Sequence, residues 1–110
     1  MKGMKEAQIL AIVKEPGKPP RVEPLFENTL RAFQEAVGGY IETITFCLDL
    51  VLIVNEEGRI RDDVPFNCRV CDGLDLYGTI VAVGVKGDEF TSLKASIVPA
   101  VLRLLGGGPK

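Results

Sequence analysis

A chain of 110 residues with a net charge of -2 suits one domain and lacks the basic excess that a nucleic-acid backbone demands. Charged residues at 25% and hydrophobic ones at 46% exclude a disordered chain and an acidic nucleic-acid mimic built from blocks of Asp and Glu. With no histidine, a serine or cysteine nucleophile lacks its usual base, and three cysteines are an odd number for a closed disulfide framework.

Residues 1–6 read as a flexible N-terminus, with Met4 as a second possible start. The apolar run to Val13 faintly imitates a signal peptide, but Lys14-Glu15-Pro16 stands where a small-residue cleavage site belongs. No apolar run approaches the roughly 20 residues of a membrane span. The expectation is therefore a cytoplasmic protein without membrane contact, its thiols reduced.

Residues 7–13 predict a strand that is apolar on both faces, hence central or covered twice. Pro16-Gly17-Lys18-Pro19-Pro20 turns the chain, and residues 21–25 return as an edge strand, because Pro24 cannot donate to a ladder. Residues 28–37 predict a helix, with Asn28 as its N-cap and Leu30, Phe33, Ala36 and Val37 as its apolar stripe. Gly38 suits the left-handed position past its end. Residues 40–46 and 48–54 predict a hairpin with Asp49 in its turn, and Asn55-Glu56-Glu57-Gly58 is a further turn. Residues 59–63 read as loop or edge and residues 65–73 as irregular. Residues 77–86 predict one strand and Gly87-Asp88-Glu89 a polar loop. A last helix runs to Leu105, with Ser96 as N-cap and Pro99 in its first turn. Residues 106–110 form a tail.

Few residue patterns carry chemistry. Cys68-Arg69-Val70-Cys71 has metal-like spacing, but its further ligands could only be Cys47 and Asp72, and its setting is turn-like rather than a helix start. Two incidental thiols are the simpler reading. Gly38-Gly39 follows a helix, where the dipole repels phosphate, so it reads as punctuation. No metal, cofactor or catalytic residue is expected. What remains is a polar rim that could gather Glu15, Tyr40, Glu42, Asn55, Glu56 and Asn67, set against the plainer reading of separate solvated residues.

Several blocks resemble the DUF3846 family of small bacterial and phage proteins. They are Glu15-Pro16-Gly17-Lys18, Val37-Gly38-Gly39-Tyr40-Ile41-Glu42, Asn55-Glu56-Glu57-Gly58, Pro65-Phe66-Asn67, the stretch 78–84 and Phe90-Thr91-Ser92-Leu93. The resemblance covers residues 7–98 and implies a cytoplasmic accessory protein, often encoded near phage or other mobile DNA, with no activity to transfer. Lys94-Ala95-Ser96 departs from the acidic start that the family's last helix usually has, and the Cys68–Cys71 spacing is not a family feature.

The expected fold is α+β: one domain over residues 7–105, with a mixed or antiparallel sheet of four to five strands and two helices. The expected function is a non-enzymatic binding module for an unknown protein or small ligand. The alternative is a small enzyme or sequestering protein with a polar pocket at Tyr40, Glu42 and Asn55. The apolar last helix could serve a homodimer as well as the monomer core. Nucleic-acid binding is disfavoured and would need a one-sided patch from Lys14, Lys18, Arg21 and Arg59.

Overall fold

The computed structural model describes residues 6–71 and 73–106. The expected N-terminal segment, apart from Glu6, and the tail after Gly106 lie outside them, as does Asp72. In chain order the elements are β1 (Gln8–Lys14), β2 (Arg21–Glu27), α1 (Leu30–Val37), β3 (Ile41–Cys47) and β4 (Leu50–Asn55). There follow β5 (Phe66–Val70), β6 (Leu74–Tyr77), β7 (Ile80–Lys86), β8 (Glu89–Thr91), a 3-10 turn (Ala95–Ile97) and α2 (Val98–Gly106). The main sheet has the order β2-β1-β7-β4-β3, with β8 also on β7, and β5-β6 forms a separate two-stranded sheet. All pairings are antiparallel.

The three central strands are apolar on both faces because both faces are covered. On one face, odd-numbered Ile9, Ala11, Val13, Val51, Ile53, Val81 and Val83 meet Phe33 and Val37 of α1. On the other, Ile12, Leu52, Val54, Ile80 and Ala82 meet Val101 and Leu105 of α2 and Val70 and Leu76 of the β5-β6 hairpin. The period of two along each strand decides which set goes where. Phe33 is 1% exposed and lies between the rings of Phe26 and Phe90. Burying such a side chain contributes about 2–3 kcal/mol.

The α+β class, the two α-helices, the first hairpin and the second hairpin hold, but the main sheet has six strands rather than four or five, because β8 adds to β7. The expectations for local detail need correction in five places. The cap of α1 is Thr29, whose Oγ1 accepts from Ala32 N at 3.0 Å. Asn28 is instead buried, its Nδ2 donating to Glu6 O and Phe90 O, which ties the helix start to both neighbouring segments. Leu30 is 57% exposed, because the stripe of so short a helix starts one turn later at Phe33. Residues 66–70 are not irregular: they pair as β5, and their Cys68 and Val70 pack beneath the sheet. The strand expected over 77–86 is broken by Gly78, whose φ of +75° lets the chain pass from β6 into β7. The last helix begins as a 3-10 turn, and Pro99 falls in the first turn of α2, where its missing N–H has no intrahelical partner to lose. Val101 and Leu105 of α2 are 2% and 1% exposed, so its apolar stripe lies in the monomer core.

Candidate functional site

The site grows from the double glycine. Gly38 takes φ +80°, and its N–H bonds Gln34 O at 2.8 Å, which closes α1. Gly39 lets the chain turn back into β3 and lies against the Asn55 amide; a Cβ there would come within 3.0 Å of Asn55 Nδ2. Asn55 ends β4 and is 5% exposed. Its Nδ2 donates to Val37 O at 3.0 Å, and its Oδ1 accepts from Glu57 N at 2.7 Å. One amide therefore satisfies a helix-end carbonyl and forms the turn that carries residues 56–60.

Three shallow depressions open around Asn55. One of about 270 Å³ is a groove lined by the apolar Ile44, Val54, Ile60 and Tyr77 together with Glu42 and Arg59. Glu56 and Asp75 stand beside it. A second, of about 300 Å³, holds Gln34, Tyr40, Glu57 and Arg61. A third, of about 320 Å³, lies between the α1 end and the 61–65 loop, by Pro16 and Thr79. Arg61 borders the last two and is held by Asp63 through two hydrogen bonds, at 2.9 and 2.6 Å. That bond keeps the Asp63 carboxyl below its usual range. Arg69 grips Asp75 in the same way, at 2.6 and 3.2 Å, and lowers its carboxyl too.

Glu42, Asn55 and Glu56 therefore share the first groove. Tyr40 is 71% exposed and, with Asn55, borders the second depression instead. Glu15 and Asn67 belong to another flank of the sheet. Glu15 directly follows β1 and pairs with Lys18 at 3.2 Å and Arg21 at 3.1 Å, which hold its carboxyl below the usual range. Asn67 is buried in β5: its Oδ1 accepts from Lys14 Nζ at 2.9 Å, and its Nδ2 donates to Lys14 O and Gly78 O. Three of its four hydrogen-bonding positions are thus filled within the fold.

Lys14 is itself 8% exposed, its ammonium held by Asn67 and by Glu15 O at 3.1 Å. With Lys18 and Arg21 paired to Glu15, three of the four cations considered for nucleic acid are engaged internally. The cysteines lie apart: Cys47 and Cys71 are exposed, and Cys68 is half-buried. Burial pushes the Cys68 thiol up, against a smaller opposing effect of Lys14, which keeps it protonated and dulls it as a nucleophile. Among the described residues, no three His, Cys, Asp or Glu side chains gather as a metal would require.

Sequence reasoning missed Ile60 and Tyr77, which wall the groove. Ile60 carried a signal: it is one apolar residue inside the polar run 59–63, and it stays 80% exposed. Tyr77 carried none, because its place depends on the β5-β6 hairpin.

The family model for DUF3846, a domain of unknown function, matches residues 7–105. The chain belongs to this family. The matched span takes in every strand, α1, all of α2 but Gly106, and all three depressions. No curated protein and no solved structure matches the chain. No helix among the described residues is long and apolar enough to cross a membrane.

Proposed function

We propose that this DUF3846 protein is a non-enzymatic binding module of the cytoplasm, and that its working surface is the groove beside β3. The observation that carries this reading is the groove's composition: apolar Ile44, Val54, Ile60 and Tyr77 line it together with several carboxylates. Glu42, Glu56 and Asp75 outnumber Arg59 there, and Asp75 is already engaged by Arg69. The complementary partner is a protein segment with one apolar side chain next to a lysine or arginine. The three free cysteines support a reducing compartment.

The alternative, an enzyme or sequestering pocket at Tyr40, Glu42 and Asn55, has less support. The Asn55 amide is already committed on both sides, and Tyr40 and Glu42 border different depressions.

The test uses isotope-labelled protein and a short capped peptide, Lys-Leu-Lys-Val, followed by amide chemical shifts. Shifts should concentrate at Glu42, Ile44, Gly58 and Ile60, with Glu-Leu-Glu-Val giving much smaller ones. Replacing Glu42 and Glu56 by Gln should weaken the response about threefold to tenfold, as removal of exposed charges does. No shifts at the groove, or equal shifts with both peptides, would overturn the reading.

A further inference from the structure

The outer edge of β3 has no ladder partner among the described residues; its pairing is with β4 alone. Tyr40 O accepts from Glu56 N at 2.9 Å, which makes 40 and 56 a hydrogen-bonded pair. In the alternating antiparallel pattern, even-numbered residues of β3 therefore bond to β4. Ile41, Thr43 and Thr45 turn their N–H and C=O groups outward. The strand, Ile-Glu-Thr-Ile-Thr-Phe-Cys, contains neither proline nor lysine and only one charge, and its one bulge lies near its end, between Thr45 and Cys47.

We propose that two copies of this chain pair along β3, antiparallel about a two-fold axis at Ile44, and so join their main sheets into one. In that register Ile44 faces Ile44 of the second copy, Thr43 faces Thr45, Glu42 faces Phe46 and Ile41 faces Cys47. Three observations select it. It engages the whole strand, whereas a slide in either direction leaves only residues 41–45 or 43–47 paired. A longer slide toward the N-terminus sets Glu42 against Glu42, and a slide the other way centres the pairing on the bulge between Thr45 and Cys47, which the chosen register leaves at its two ends. It also sets Tyr40 opposite Leu48. These residues flank the two ends of β3 and are 71% and 90% exposed, two of the most exposed large apolar side chains in the molecule.

The axis is perpendicular to the sheet, so like faces join. Glu42, Ile44 and Phe46 share the face that carries the groove, and the two grooves therefore lie side by side across the axis. The second copy's Phe46 stands next to Glu42 of the groove. The pairing rests on the strand edge and holds whether or not the groove binds a basic peptide.

Sedimentation of the full chain over a concentration series should show a monomer passing to a dimer. Thr43→Pro removes an outward N–H that β4 does not use, so the fold should persist with an unchanged circular dichroism spectrum. The dissociation constant should rise about tenfold or more, as expected for the loss of one interchain bond per copy. Thr43→Lys with Thr45→Lys sets lysine against lysine, changes only exposed side chains, and should abolish the dimer. With Cys47, Cys68 and Cys71 replaced by Ser, Ile44→Cys should form an interchain disulfide on mild oxidation faster than Thr43→Cys. A monomer at every concentration, a dimer indifferent to the lysine pair, or faster crosslinking at position 43 would overturn the proposal.

Discussion

The main sheet ends in two seven-residue strands that look alike in length and differ in almost everything else. β2 carries Arg21, Glu23 and Glu27, has Pro24 at its middle, and meets β1 across a bulge between Ile9 and Ala11. An ion-pair chain runs from Lys18 through Glu15 and Arg21 to Glu23 across its start. β3 has one charge, no proline, and an open groove at its side. Proline and a high density of charge are known means of blocking edge-to-edge pairing; β3 lacks both and shares with β2 only a bulge, between Thr45 and Cys47. An exposed strand edge carries an aggregation risk, and of the two edges β3 is the less guarded, which is why the proposed pairing falls on that side.

The flank around β1 and β2 should also be the more sensitive to loss of a polar side chain. Asn67→Ala would leave the buried Lys14 ammonium with one neutral acceptor, and a cost of about 3 kcal/mol is expected. Asn55→Ala, on the β3 flank, breaks two hydrogen bonds around neutral groups and should cost about 2 kcal/mol. Denaturant midpoints of the two variants rank the flanks directly, and a larger loss for Asn55→Ala would reverse the comparison. The guard on β2 can be removed separately. Pro24→Val should change stability by less than about 1 kcal/mol at so exposed a site. It should, however, give the Thr43→Pro protein a new route to association, seen as light scattering that rises with concentration. If Pro24→Val proteins stayed as dispersed as their parents, proline would not be what protects that edge.

Much of this asymmetry was legible in the sequence. Pro24 alone placed β2 at an edge, and the two-sided apolar run of β1 placed it inside the sheet. Gly38-Gly39 marked the helix end, and the Asn55 turn was evident from its residue types. The order of the strands was not legible, because the tie between distant β1 and β7, and between β7 and β4, comes from shape matching of Val, Ile and Ala that many registers share. Polar residues misled most. Asn67 and Asn55 look like site residues when only their types are read, yet both are buried and bonded to backbone on neighbouring segments. Residues 65–73 read as irregular because Pro65, Asn67, Asp72 and Gly73 hide a short apolar alternation, Cys68 and Val70 against Leu74 and Leu76, that only pairing completes. Gly84 shows the same limit: Ser92 O would lie 2.5 Å from a Cβ placed there, a close approach set by β8 and invisible along the strand itself.

The smallest expected effect is electrostatic and belongs to the guarded edge. Lys18 first, then Arg21, hold the Glu15 carboxyl below its unfolded range. A group whose folded pKa is depressed gives up its proton more readily in the native state, so its contribution is present above the unfolded pKa and fades as pH falls through the folded one. Arg21→Gln should therefore lower the thermal midpoint slightly near neutral pH, and the two proteins should converge in acid below the carboxylate range. Glu15 is open to solvent, so the pair is screened and the difference should shrink further as salt is added. A gap between the two proteins that persists in acid would mean that Arg21 acts by packing its stem against the strand rather than through its charge, and the ion-pair chain would then have no part in guarding β2.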